Sequence, residues 1–277
     1  MRKKKIFHKV FIYSIAGLIC LFGIFPILWS LSTSLKPEIL MFAQPPQWIP
    51  EKISFEHYRA VLSDPRMMRY FLNSFITAGA ATIFALLIGI LGAYGFSRYK
   101  FPGHKTLMVS ILLTRMLPRV ALIVPFFITL QKLKLYNTRA GLVLVFLIIT
   151  MPLAIWLLKG FFDAIPIEIE EAATMDGCSV LGILTRIVIP ITLPALASVG
   201  MYVFITAWNE FLFALTMTKG LPLRTISVGL AFFIDEFGVR WGPLMAASIL
   251  MSIPAIIVFS LFQKSLIKGL SEGAVKG

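Results

Sequence analysis

The spacing between successive charged residues constrains this chain more than any other feature of its sequence. A helix needs about 20 mostly apolar residues to cross a hydrocarbon core about 30 Å thick. Six windows reach that length: Val10–Leu35, Tyr70–Ser97, Thr106–Gln131, Ala140–Leu158, Ile187–Thr218 and Trp241–Gln263. The sequence therefore predicts an all-α integral membrane protein with six transmembrane helices, folded as a single domain over residues 1–277.

The composition fits a protein whose solvent is a lipid bilayer. Hydrophobic residues make up 58% of the chain and charged residues 14%, and the formal net charge is +13. Because the basic residues flank the apolar windows instead of forming one stripe, we expect no nucleic-acid partner. The two cysteines, Cys20 and Cys178, lack the spacing of a metal site, and the three histidines form no catalytic pattern. We therefore expect neither metal ligands nor catalytic residues.

A cluster of basic residues before the first window sets the predicted orientation. Five of the first nine residues are lysine or arginine, which places the N-terminus in the cytoplasm. The first window is longer than the apolar region of a signal peptide, and no A-x-A site follows it, so we interpret it as a transmembrane helix. Six spans then return the C-terminus to the cytoplasm. The cytoplasmic segments are 1–9, 98–105, 159–186 and 264–277.

The windows also indicate where helices should pack closely or bend. Small residues line one face of the second window, where another helix backbone can approach: Ala81, Ala85, Gly89 and Gly92. Pro194, near the inner end of the fifth window, predicts a kink.

The loop formed by residues 163–190 has the sequence of two short helices separated by a glycine. Pro166 suits a first helical turn, and the three glutamates that follow it lie favourably near the positive end of the helix dipole. Gly177 suits the left-handed position beyond the helix end, and Ser179 suits the N-cap of the next helix. We expect a first helix with one small apolar face and one acidic face, which would fit a groove on another protein.

The spacing within this loop resembles the pattern E-A-A-x3-G-x9-I-x-L-P of the membrane subunits of ATP-binding-cassette importers, with Ile189 where leucine is usual. In that family the loop is the coupling helix, which docks on a cytoplasmic ATPase and transmits its closure to the membrane helices. The residues that the resemblance assigns to this coupling are Glu171, Ala172, Ala173, Asp176, Gly177, Ile187 and Pro190.

Other segments are similar to the carbohydrate branch of these importers, and in particular to the smaller membrane subunit of the maltose type. These segments are Met151–Phe162, Ala207–Phe211, Trp241–Leu250 and Lys268–Gly277. The resemblance implies that the tail, residues 264–277, reaches the ATPase through Gly273, Lys276 and Gly277. Because the tail contains several glycines, an ordinary helix is not expected there.

The resemblance implies a permease in a bacterial or archaeal inner membrane that forms half of a sugar pathway. Its implied partners are a second homologous permease, two ATP-binding subunits and an extracytoplasmic sugar-binding protein. The chain contains no G-x-x-x-x-G-K-[ST], so we expect no cofactor in it, with ATP and Mg on the ATPase. Three alternatives remain open: an importer of a non-sugar solute, a secondary transporter, and a membrane enzyme. The chain lacks the mid-membrane carboxylate cluster that a secondary transporter would need, and it lacks the catalytic residues that an enzyme would need.

Ionisable residues within two windows mark a candidate solute pathway. Arg115 and Arg119 are four residues apart, which predicts one helix face, with Pro118 between them. Such arginines should face the bundle interior, a carboxylate or water. Two interpretations stay open: recognition of an anionic sugar, or binding to carbonyls freed by Pro118. Asn209 and Glu210 are expected towards the outer membrane face, to contact sugar hydroxyls or neighbouring helices.

Cys178 provides a test of the predicted orientation. A membrane-impermeant thiol reagent added to intact spheroplasts should leave Cys178 unlabelled until the membrane is opened, because the loop that contains it is predicted to be cytoplasmic. A Cys178→Ala variant controls for labelling elsewhere. Labelling of Cys178 in intact spheroplasts would contradict the predicted orientation.

Overall fold

The computed structural model describes the backbone of residues 2–235 and 238–274, and the side chains of residues 8–235 and 238–263. These residues form thirteen α-helices and one antiparallel pair of two-residue strands, β1 (Ile234–Asp235) and β2 (Gly238–Val239). The helices are α1 (Arg2–Ser34), α2 (Glu56–Ser63), α3 (Pro65–Arg98), α4 (His104–Leu113), α5 (Ile123–Lys132), α6 (Arg139–Asp163), α7 (Ile167–Met175), α8 (Val180–Ile183), α9 (Ile189–Ile191), α10 (Leu193–Trp208), α11 (Leu212–Met217), α12 (Ile226–Ala231) and α13 (Trp241–Ala274). The predicted all-α class is confirmed.

Among the described residues, four helices are long and apolar enough to cross a membrane without a break. They cover His8–Ser34, Pro65–Arg98, Arg139–Asp163 and Trp241–Gln263. Two further helix pairs meet the same criterion but are bent, by 101° between His104–Met116 and Arg119–Lys132 and by 80° between Val180–Ile191 and Leu193–Trp208. If each bent pair is one span, the described residues provide up to six spans.

The first bend follows from the dipeptide Leu117–Pro118. A proline ring disfavours helical geometry in the preceding residue, and Leu117 is extended at ψ 132°. Pro118 is extended as well, at ψ 124°, so the helix restarts only at Arg119. The prediction that Arg115 and Arg119 share one helix face is therefore wrong, because the break lies between them.

The second bend lies at Thr192, between α9 and α10. Thr192 has φ −94° and ψ 10°, and Pro194 follows at the start of α10. Since proline has no N–H to donate to the carbonyl four residues earlier, the hydrogen-bond ladder is interrupted here. The kink predicted near Pro194 is confirmed.

The helix α13 extends further than the sequence indicates. It continues through residues 268–274, so the expectation that glycines prevent an ordinary helix there is wrong for those residues. Extending an existing helix is much easier than starting one, and each glycine costs only about 1 kcal/mol relative to alanine. Gly273 therefore lies in a helix, whereas Lys276 and Gly277 lie outside the described residues.

The chain divides into two compact groups, of which the first contains residues 1–68 and 229–253. In this group the segment after α1 folds back against the end of that helix. The buried ammonium group of Lys36 donates to the Gln47 carbonyl and lies 4.5 Å from the ring centroid of Trp29. His57 Nε2 lies 3.0 Å from the Lys36 carbonyl oxygen. Burial lowers the pKa of Lys36 below its ordinary value.

The second group contains residues 69–228 and 254–277, and its core depends on small residues in α3. Ala81 and Ala85 are fully buried. A Cβ atom on Gly89 would lie 3.2 Å from Leu158 Cδ1 in α6, and one on Gly200 in α10 would lie 3.2 Å from Leu86 Cδ1 in α3. The small-residue face of the second window packs closely against neighbouring helices, as predicted.

Replacing Gly89 by valine should destabilise the protein, because the added methyl groups must displace Leu158. Overpacking of this kind costs about 1–3 kcal/mol. Gly79→Val is the matched control on the same helix, since a Cβ at Gly79 meets nothing within 4 Å. Thermal unfolding of both purified variants in detergent measures the difference, and equal midpoints would contradict the close approach of α3 and α6.

Candidate functional site

The helix α7 begins and ends where its sequence predicts. Pro166 occupies the position just before its first residue and makes no capping hydrogen bond, and Gly177 follows its end in the left-handed conformation, at φ +81°. The N–H of Gly177 bonds to the Thr174 carbonyl and that of Cys178 to the Ala173 carbonyl, both at 3.0 Å, which is a Schellman ending. Ser179 caps the next helix by accepting from the N–H of Gly182 at 3.2 Å. The chain therefore turns sharply at a fixed position.

Most of the residues assigned to coupling lie on the surface of this chain. Ala173 is buried and Ile187 is half-buried, whereas the others are exposed: Glu171, Ala172, Asp176, Gly177 and Pro190. Large apolar side chains beside them are exposed too, including Met175 at 88% and Leu181 at 65%. An exposed apolar patch next to acidic residues is typical of a protein-binding surface.

One acidic residue of α7 points inward, and the sequence reasoning did not find this. Glu170 is buried, and its Oε1 accepts from Arg98 Nε at 2.7 Å and forms an ion pair with Arg98 Nη2, 2.6 Å away. The Tyr94 hydroxyl donates to Glu170 Oε2 at 2.8 Å. The prediction of a single exposed acidic face is thus wrong for Glu170, because a basic residue of α3 binds it inside the protein.

Arg98 also binds the end of α6. Its Nη2 donates to the carbonyl oxygens of Phe162 at 2.9 Å and Ile165 at 3.3 Å. Beside it, the Ser97 hydroxyl donates to Asp163 Oδ1 at 2.6 Å. We call Tyr94, Arg98 and Glu170 the anchor cluster, because these three residues fasten α7 to α3 and to the end of α6.

A sequence signal for this cluster does exist. Glu170 lies three residues before Ala173, which belongs to the predicted small apolar face, so the two share one helix face. Arg98 is the first charge after the second apolar window. Neither signal identifies the partner residue, since 72 positions separate Arg98 from Glu170.

Arg115 and Arg119 flank the break between α4 and α5, whereas Asn209 and Glu210 follow the end of α10. Arg119 Nη1 donates to Glu210 Oε2 at 2.9 Å, so Arg119 binds a carboxylate and not the carbonyls freed by Pro118. Arg115 lies over the ring of Tyr202, with 5.8 Å between its guanidinium carbon and the ring centroid. Asn209 is exposed, and its Nδ2 donates to the Ile205 carbonyl at 3.0 Å. The structure joins Glu210 to Arg119, and it places Arg115 against a different neighbour.

The family of the chain follows from a comparison with known proteins. The family described as "Binding-protein-dependent transport system inner membrane component" matches residues 70–272. The chain belongs to this family. Its members are transport components and not enzymes, and E-A-A spacing is characteristic of them, which confirms the resemblance seen in the sequence.

Relatives of this permease match it over its whole length. The diacetylchitobiose uptake system permease protein of Streptomyces coelicolor is 32% identical and aligns over 99% of this chain and 100% of its own. The trehalose/maltose transport system permease protein of Thermococcus litoralis is 35% identical, over 99% of both chains. A crystal structure of a bacterial ABC transporter that imports the acidic polysaccharide alginate matches with a TM-score of 0.80 and 25% identity, covering 95% of this chain and 98% of that one.

The anchor cluster makes a specific prediction about stability. Arg98→Met should lower the free energy of unfolding by about 3–5 kcal/mol, because Glu170 would remain as an unpaired buried charge. The double variant Arg98→Met with Glu170→Met should lose less than Arg98→Met alone, since no charge is left buried. The exposed control Glu171→Met should change stability by less than about 0.5 kcal/mol. Titration of purified protein with SDS, followed by tryptophan fluorescence, measures these three variants and the single variant Glu170→Met. A loss in the double variant equal to the sum of the Arg98→Met and Glu170→Met losses would contradict the pairing.

Proposed function

We propose that this permease forms half of the translocation pathway of an ATP-binding-cassette importer for a sugar or oligosaccharide. The observation that carries the proposal is α7. This helix presents the E-A-A residues and an apolar patch on its outside while the buried anchor cluster fastens it to the membrane helices. A helix held in this way can accept a push from an ATPase and transmit it.

The proposed cargo follows from the relatives. Proteins that match this chain from end to end are named for diacetylchitobiose and for trehalose and maltose, and the similar transporter structure imports a polysaccharide. A saccharide is therefore favoured over another solute.

The proposed assembly contains a second permease subunit, two ATP-binding subunits and an extracytoplasmic sugar-binding protein. The family description supports the binding protein, since it calls the transport binding-protein-dependent. ATP and Mg would bind to the ATPase subunits. Both termini would lie in the cytoplasm, and the tail residues Gly273, Lys276 and Gly277 would reach the ATPase.

The proposed mechanism is alternating access. Closure of the ATPase dimer moves α7, and the anchor cluster passes this movement to α3 and α6, so that the cavity between the two permeases opens to one side at a time. Glu171 is exposed, so its carboxylate is free to bind a basic residue of the ATPase.

Reversing the charge of Glu171 tests the proposed coupling. Glu171→Lys should insert normally but lower both recovery of the co-purified ATPase and saccharide uptake, by roughly ten-fold or more, because like charges would meet at the interface. Glu51→Lys is the control, as the same substitution at an exposed residue between the first two windows.

Uptake of radiolabelled maltose, trehalose and diacetylchitobiose by cells that express the whole transporter, together with pull-down of the ATPase, provides the measurement. Wild-type values for Glu171→Lys in both assays would refute the coupling role. Failure of the wild type to take up any saccharide would refute the proposed cargo class.

A further inference from the structure

One broken helix and the end of another meet at an ion pair in the second group of residues. Arg119 follows the break between α4 and α5, and Glu210 lies between α10 and α11. The helix α4 begins at the predicted cytoplasmic boundary and has 10 residues. At about 1.5 Å per residue it rises about 15 Å, which is roughly half of the hydrocarbon core. The 3-10 turn Thr114–Met116 adds about 6 Å before the break. The break therefore lies inside the hydrocarbon core, in its outer half, which agrees with the position expected for Glu210.

The two partners in this pair have very different exposure. The Glu210 side chain is 3% exposed, and the Arg119 side chain is 55% exposed. Both oxygens of the Glu210 carboxylate are hydrogen-bonded, because its Oε1 also accepts from the N–H of Phe213 at 3.2 Å. The Ser227 hydroxyl donates to the Glu210 carbonyl at 2.8 Å and fixes the backbone there. Glu210 is thus a rigid anchor that holds an exposed guanidinium group.

The hydrogen-bonding capacity of Arg119 is largely unused. A guanidinium group carries five N–H donors, and among the described residues Arg119 bonds only to Glu210. Arg115 is exposed on the other side of the break. Tyr202, which lies beneath Arg115, has a buried hydroxyl without a hydrogen-bond partner among the described residues. Polar groups that need partners therefore collect at this break.

Lipid cannot be the neighbour of these groups. An exposed arginine at membrane depth must face protein or a water-filled cavity, because lipid tails offer no hydrogen-bond acceptor. Broken helices at that depth are tolerated where they line such a cavity, and in transporters they form solute sites.

We propose that Arg119 lines the water-filled path of the cargo and donates hydrogen bonds to saccharide oxygen atoms, with Glu210 as the positioning residue. This inference rests on the proposed function. The chemistry favours a cargo rich in oxygen acceptors, and the planar guanidinium donor pair fits adjacent hydroxyl oxygens or a sugar carboxylate.

Cysteine accessibility tests where the break lies. In a background with Cys20→Ala and Cys178→Ala, Arg115→Cys leaves the Arg119–Glu210 pair intact. Leu87→Cys is the control, because Leu87 is 57% exposed on the continuous helix α3. The probe is a permanently charged methanethiosulfonate, applied to open membranes that contain the whole transporter. It reacts with thiolates in water, so Arg115→Cys should be labelled roughly ten-fold faster or more than Leu87→Cys.

Equal rates at the two positions, fast or slow, would overturn the proposed path. This labelling requires no cargo, so it separates failure of the path from failure of the proposed cargo class.

Uptake kinetics test the role of the pair. Arg119→Gln and Glu210→Gln should both raise the KM for the transported saccharide, by roughly ten-fold. The first substitution removes the guanidinium donor, and the second removes the carboxylate that positions this donor. Arg119→Lys should restore part of the affinity. Thermal unfolding of the variants controls for structural damage, which would lower the midpoint and the maximal rate. An unchanged KM in both Gln variants would refute the contact with cargo.

Discussion

A charge removed from water must be paired inside the protein, and in this permease that requirement determines how α7 is held. Glu170 could not be buried in α7 without Arg98, because an unpaired carboxylate would be expensive. Arg98 in turn satisfies two carbonyls at the end of α6, where the chain leaves one helix before starting the next. A small number of hydrogen bonds thus connects three helices at one place. The exposed surface of α7 depends on this connection for its position.

Some prolines break the membrane helices and others do not, and the first break brings two charged residues together. Prolines inside α1, α6 and α13 leave those helices continuous, whereas Pro118 and Pro194 stand at bends of 101° and 80°. Proline alone does not decide the outcome. At the first bend, both Leu117 and Pro118 are extended, and the new direction allows Arg119 to reach Glu210. Breaking the helix therefore brings an arginine and a glutamate together from positions 91 residues apart.

The sequence predicts well those features whose causes are local. The Ser179 cap of α8, the turn at Gly177 and the small face of α3 each depend on a few neighbouring residues, and the structure contains all of them. The anchor cluster and the Arg119–Glu210 pair depend on tertiary packing, which no local pattern encodes. The shared face expected for Arg115 and Arg119 was wrong because spacing alone assumes an unbroken helix. The extended α13 shows the opposite error, since its glycines were given more weight than the helix before them.

The glycines where α3 meets α6 and α10 have a mechanical consequence. At Gly89 and Gly200 a leucine of the neighbouring helix, Leu158 or Leu86, packs directly against the glycine backbone, so only one layer of side chains separates the two helices. Long side chains can change rotamer and absorb a displacement, whereas a closely packed contact is nearly incompressible. We therefore expect α3, α6 and α10 to move together as one rigid body, so that a displacement at one end of these helices is transmitted almost undiminished to the other end.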